Sequence, residues 1–287
     1  MIWLIYALIA TLSASIRSIF HRFIMLTEDP YSYALLENIL TAFIFIPVLI
    51  NEFVFPLNIT AWILVLTSSI LWVFIAIVGF YAYKYTQVSL KSPLSESRVL
   101  WVLLFAIIFL KEKLIFDKIF GIILIFISLV ILTYKKRKRF GDLSDKGVQL
   151  TLLTALLTAG VAIIDKSALQ YFTAGTFGFL VYFIPGLILM GFGKKHFKDV
   201  KKILKTKHYY LGLVVILGFF FYYFKLKAYE IADVTQVFPI IRLSTAFTVI
   251  FGIIFLREKE NIWKKIIATV IILFGVLLLS GNYGIFN

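Results

Sequence analysis

Long apolar runs alternate along this chain with short polar punctuation. Runs bounded by charge or turn residues cover 2–26, 31–50, 61–83, 87–110, 115–134, 148–170, 174–193, 209–231, 234–256 and 262–281. A helix needs about 20 residues to cross a hydrocarbon layer of about 30 Å, so each run predicts one transmembrane helix, ten in all. The first run follows Met1 at once with Ile2-Trp3-Leu4-Ile5, without a basic leader or a small-residue cleavage site. That pattern predicts a span and not a cleaved signal. The longest connection, Lys194 to His208, sets Phe197, Val200, Ile203 and Leu204 among lysines at roughly helical spacing. It reads either as a basic helix lying on the membrane surface or as a solvated lysine-rich loop.

The runs repeat. A shift of 146 residues lays Ala82-Tyr83 on Ala228-Tyr229, Pro93 on Pro239, and Phe109-Leu110-Lys111-Glu112-Lys113 on Phe255-Leu256-Arg257-Glu258-Lys259 without a gap. A shift of 144 lays Ala10, Ala14, Ser18 and Arg22 on Thr154, Thr158, Ala162 and Lys166, with His21 on Asp165. Two repeats, residues 1–140 and 141–287, would then hold five helices each. Because five is odd, the second repeat crosses in the opposite sense, as in the inverted repeats of secondary transporters. The predicted fold is all-α and integral to the membrane, ten helices in two inverted five-helix repeats.

Composition agrees: 61% of residues are hydrophobic and 17% aromatic, against roughly 45–50% apolar in a soluble domain. With a mean hydropathy of +0.98 the excess must face lipid, and 287 residues leave no room for a separate soluble domain. The formal charge of +14 would suggest nucleic acid in a soluble protein. Here it lies in loops, above all Lys135 to Arg139 and the seven lysines from Lys194 to Lys207. Such clusters read as topogenic signals and as contacts for anionic lipid headgroups, not as a nucleic-acid surface. Lys84, Lys91, Lys146, Arg257, Lys259, Lys264 and Lys265 share their side, facing only Lys111, Lys113 and Lys118 on the other. Retention of positive loops in the cytoplasm would then place both termini outside. Cysteine is absent and the three histidines are scattered, so neither a disulfide nor a metal site is expected.

The doubled stretches Pro93 to Glu112 with helix 115–134, and Pro239 to Glu258 with helix 262–281, resemble the EamA-type members of the drug/metabolite transporter superfamily. There each half ends in a proline, a long apolar helix, a Gly-Glu or similar acidic turn and a closing helix. The resemblance covers nearly the whole chain, but Lys111 and Arg257 stand where that glycine usually is. It implies transport of a small molecule, with substrates in the family ranging over amino acids, sugars, quaternary amines and nucleotide conjugates. Many members keep both termini in the cytoplasm, against the charge count.

Ionisable residues inside a span are costly, by roughly 2.5–3.5 kcal/mol on translocon scales, and face a cavity or a partner. They are Arg17, Glu37, Glu96, Arg98, Asp165 with Lys166, Glu230 and Arg242. Glu96 and Arg242 each sit three residues after a repeat's proline and superpose under the 146-residue shift. Opposite charges thus occupy equivalent positions, either closing a substrate site or forming a permanent salt bridge between halves. Arg98 is the other partner open to Glu96, although residues two apart point away from each other on a helix. Pro93 and Pro239 lack an N–H and predict helix kinks of the kind that line transport sites, unless Pro93 only marks a first helical turn. The small-residue columns at 10, 14, 18 and 154, 158, 162 predict close packing of their helices in the interior, with Arg17 and Asp165 nearer the vestibules. His21, Arg22 and Lys166 are expected to snorkel to the interface. Glu37, with no polar neighbour in sequence but Asn38, is a candidate proton carrier. Trp72, Tyr81, Trp101, Tyr182, Tyr222 and Tyr229 could stack on a substrate cation, although most such rings pack or face lipid.

The chain thus reads as a carrier working by alternating access in the plasma or inner membrane, as a monomer or homodimer. It needs no cofactor, and coupling to protons stays open. A channel would want a repeated filter or a ring of like charge. A lipid enzyme would want a glycine loop, a His-Glu-x-x-His or a Ser/His/Asp set. None of these is present. A flippase or scaffold subunit handling lipid-linked substrates remains the alternative, separable by whether the cavity opens sideways to lipid.

Overall fold

A computed structural model describes residues 2–101, 104, 116–133, 145–192, 196–232 and 234–280. The Lys135 to Arg139 cluster, the Phe109 to Lys113 turn, and Lys194 and Lys195 lie outside the described residues, as do the side chains of Lys118, Ala162, Lys166 and Pro239. The described helices are α1 (Ile2–Met25), α2 (Pro30–Glu52), α3 (Ile59–Tyr85), α4 (Val88–Ser95), α5 (Phe116–Thr133), α6 (Lys146–Ala168), α7 (Ala174–Phe192), α8 (Phe197–Thr206), α9 (His208–Ile231), α10 (Val234–Phe255) and α11 (Ile262–Ser280). Five of them, α1, α2, α3, α7 and α9, are long and apolar enough to cross a membrane within the described residues, and α5, α6 and α10 carry shorter apolar stretches.

Exposed and buried faces have exchanged chemistry relative to a soluble protein. On α1, Ile5, Leu8, Leu12 and Ile16 are exposed while Thr11, Ser13, Ser15 and His21 are buried. Water would not tolerate the outer face, and lipid does not tolerate unpaired groups on the inner one.

Side-chain oxygens start the helices where the chain turns. Asp29, Asn58 and Asp145 cap α2, α3 and α6 by accepting from backbone amides at 2.8, 2.9 and 2.8 Å, and each such cap is worth about 1 kcal/mol. Packing runs between the two halves of the chain: α1 lies against α9 and α10, α3 against α6, α2 against α7, α4 against α10 and α6, and α5 against α11. The tight α1 contact uses Ala7, Thr11 and Ser15, whose hydroxyls donate to the Ile240 and Ser244 carbonyls at 2.9 and 3.3 Å. It is thus centred one helical face away from the column at 10, 14 and 18, of which Ala10 is fully buried.

Two other expectations are corrected. The span drawn from 87 to 110 is interrupted: α4 ends at Ser95, Glu96 and Ser97 form a turn, and helix resumes at Arg98. Across the interruption the bonds tighten to three-residue spacing, Glu96 N to Pro93 O, Ser97 N to Leu94 O and Val99 N to Glu96 O, the 3₁₀ winding common at helix ends. Pro93 cannot donate to the turn before it, which weakens the ladder at that point. In contrast, α10 continues as helix through position 239. The basic segment is helical as α8, but it does not merely float on lipid: Val200 and Ile203 are buried in a core cluster with Ile24, Met25 and Leu211.

Candidate functional site

Three helices meet at a buried ion cluster. Arg17 and His21, four residues apart, share one face of α1, and both reach Glu37 on α2. Arg17 Nε donates to Glu37 Oε1 at 2.9 Å, its Nη2 makes a second close contact with the same oxygen, and His21 Nε2 lies 3.0 Å from it. Glu37 is 1% exposed. Its partners lie across the α1–α2 loop, so the expectation of a carboxyl with no neighbour but Asn38 is overturned. Asn38 turns back to donate to the Ala34 carbonyl at 2.8 Å. His21 does not snorkel: its ring sits edge-on to Tyr33, Phe80 and Tyr83. Arg22 is turned inward and donates to the Tyr83 and Lys84 carbonyls at 2.5 and 2.7 Å, closing the last turn of α3.

The cluster borders a cavity of about 170 Å³. Arg17, His21 and Glu37 form part of its wall, Tyr83 and Lys91 another part, and Trp72, Tyr182 and Tyr222 an aromatic side. At about 30 Å³ of liquid per water molecule, the space matches a small organic molecule. Behind the aromatic wall, Asp165 accepts from Tyr222 Oη at 3.0 Å and from Ser68 Oγ at 2.7 Å. Asp165 therefore supports a cavity residue. Lys91, counted from sequence as a loop charge, was missed as a wall residue because it lies only three positions into α4.

The second cluster centres on Glu96, at the interruption after α4. Glu96 Oε1 accepts from Arg98 Nη2 at 2.9 Å and from Thr245 Oγ1 at 2.8 Å, and Arg242 Nη1 lies 3.5 Å away. The two superposable charges thus come together. Arg98 joins them because the turn at Glu96–Ser97 breaks the regular spacing that would have pointed it away. A carboxylate that is 1% exposed keeps its charge inside the protein only with such partners.

Polar clasps tie the ends of the bundle on either side. At one end Glu258 accepts from the Val88 and Ser89 amides, both at 2.9 Å, and from the Ser89 hydroxyl, so the acidic turn of the second half caps α4 in the first. Lys265 Nζ adds bonds to Gln87 Oε1 at 2.6 Å and to the Glu258 carbonyl at 3.1 Å. At the same end Lys202 of α8 lies 2.9 Å from Glu28, and His196 Nδ1 lies 3.0 Å from Asp29. At the other end Lys227 bridges Glu52 and Glu230 at 2.9 and 3.0 Å, and Tyr223 donates to Glu52 at 2.9 Å. One histidine lies in an acidic group. His196, Asp29 and Asp199 bring ligand atoms within 4.8 Å of one another, although the Asp29 oxygen is already engaged in capping α2.

The EamA-like transporter family matches residues 1–134 and 145–281. A comparison with curated proteins gives no match. Nineteen chains of solved structures are similar. One of them, a crystal structure of a protein at 13% identity, superposes with a TM-score of 0.66 over 96% of this chain and 95% of that one.

Proposed function

Since this chain belongs to the EamA-like transporter family and is a multi-pass membrane transporter, we propose that it is a secondary carrier moving a small polar metabolite, such as an amino acid or amine, by alternating access. The observation that carries this reading is a small cavity among the helices, walled by the buried Arg17–Glu37–His21 cluster and by aromatic rings. Ionisable groups at such depth mark pathways or partners.

The carrier consists of ten spans in two inverted repeats, residues 1–140 and 141–287. Exchanging the halves supports this: α1 on α9 becomes α6 on α3, α1 on α10 becomes α6 on α4, while α2 on α7, α4 on α10 and α5 on α11 map onto themselves. Glu96 and Arg242 meet on that pseudo-axis and serve as the inter-half contact that rearranges as the halves rock. The clasps at Glu258 and at Lys227 then open in alternation. Proton coupling through Glu37 would require opening its ion pair with Arg17. The protein resides in the plasma or inner membrane, with its basic loops on anionic headgroups.

The test is uptake of labelled amino acids, sugars and amines into proteoliposomes, with and without a proton gradient, alongside Glu96→Gln and Arg242→Gln. Uptake of one class that both substitutions abolish in folded protein supports the carrier. Lipid scrambling without uptake of any class replaces it with the flippase.

A further inference from the structure

Lys91 stands apart from the other cations of the cavity wall. Arg17 and His21 share Glu37, whereas among the described residues no carboxylate lies within ion-pair distance of Lys91. The side chain is 7% exposed, and its Nζ sits 3.8 Å above the centroid of the Tyr83 ring. The other titratable side chains within electrostatic reach are Tyr83, Arg98 and His21, none of which carries a negative charge to neutralise it. Glu96, one turn further on, is committed to Arg98, Thr245 and Arg242. Glu258 caps the start of the short helix that carries Lys91, which sets the backbone from which the side chain reaches the wall.

Counting the wall gives Arg17 and Lys91 against Glu37, an excess of one positive charge when His21 is neutral. We infer that Lys91 is the anion-binding group of the cavity and receives the single carboxylate of a small substrate, whose remainder lies against Trp72, Tyr182 and Tyr222. The inference rests on the carrier reading and narrows its substrate class to monocarboxylates and zwitterions. A phosphate dianion, whether of a metabolite or a lipid headgroup, would overshoot the charge by one.

The purified protein is titrated by calorimetry with L-leucine, isocaproate, L-leucinamide and sn-glycerol 3-phosphate, as wild type and as Lys91→Gln and Lys91→Arg. Leucine and isocaproate are expected to bind, with leucinamide at least tenfold weaker. Lys91→Gln should weaken both carboxylates roughly 10- to 100-fold, the loss of one charge-assisted contact, and Lys91→Arg should restore part of it. If Lys91→Gln does not fold, the wild-type ranking decides. Leucinamide binding as tightly as leucine, or carboxylate binding that survives Lys91→Gln, overturns the inference and leaves the carrier standing. Binding of glycerol phosphate alone overturns it in favour of a phosphate site. No binding of any probe overturns it too, and the uptake screen then judges the carrier separately.

Discussion

Replacing Glu258 by alanine should loosen the junction between the halves at the start of α4. Its carboxylate accepts from two amides at 2.9 Å and from the Ser89 hydroxyl, all at the start of α4, and it is 7% exposed. Single bonds to a charged group contribute about 1.5–3 kcal/mol, a cap about 1 kcal/mol, and a negative charge at a helix start about 0.3–1 kcal/mol. These share one helix end and do not add fully, so we expect a loss of about 3 kcal/mol. On the scale of soluble domains, where 1 kcal/mol moves the midpoint by about 2–4 °C, that is about 6–12 °C. Glu258→Gln keeps an acceptor but no charge and should lose about half as much. Thermal denaturation in detergent reads the shift. Glu260→Ala serves as reference, because Glu260 is exposed and only receives a 3.3 Å bond from Gln87. A Glu258→Ala protein melting within 2 °C of that reference, on this same scale, would refute the capping argument.

Glu37→Gln strands Arg17 in the interior and should cost about 3–5 kcal/mol, whereas Arg17→Met with Glu37→Leu recovers at least about 2 kcal/mol of it; a double-mutant cycle of unfolding measures the coupling. A methyl group at Gly178 would land on the fully buried Phe45 ring, so Gly178→Ala should destabilise by about 1–3 kcal/mol. Gly160→Ala, with nothing within 4 Å, should be neutral or gain up to about 1 kcal/mol, and melting curves of the two separate the cases. Burial would raise the Asp29 carboxyl, but bonds from the Ser32 amide and hydroxyl and from His196 outweigh it and hold the group below its ordinary 3.8. Its stabilisation is therefore complete above pH 3.8 and fades as pH falls further. Asp29→Asn should flatten that acid limb in a melting-temperature profile.

Much of the frame was legible because lipid imposes a length on every apolar run. The drawn span of 2–26 corresponds to α1 at Ile2–Met25 and that of 234–256 to α10 at Val234–Phe255. Glu96 and Arg242 could be paired from sequence because one shift superposes them, and they lie 3.5 Å apart. What stayed hidden depends on facing surfaces that periodicity does not encode. The partners of Glu37 lie 20 and 16 residues back, across a loop. The turn at Glu96–Ser97 interrupts a segment whose local pattern is helical on both sides, so the meeting with Arg98 could not be read. The cap supplied by Glu258 spans 170 residues, and only its repetition as Glu112 hinted at more than a turn. Lys91 looked like a loop cation because nothing in sequence says how far a helix end is drawn into the bundle.

The interruption after α4 also bears on how the protein is made. Lys91, Glu96 and Arg98 fall within eight residues, and at roughly 2.5–3.5 kcal/mol for each charge near mid-bilayer the insertion machinery would receive this stretch unfavourably by up to about 10 kcal/mol. Glu96 is partnered by Arg242 and Thr245, and the start of the same helix is capped by Glu258, all synthesised some 150 residues later. This segment is therefore expected to stay only partly committed at the translocon until the second half of the chain has been made. Glycosylation mapping of nascent chains truncated before and after residue 258 would catch that delay as a change in topology with length.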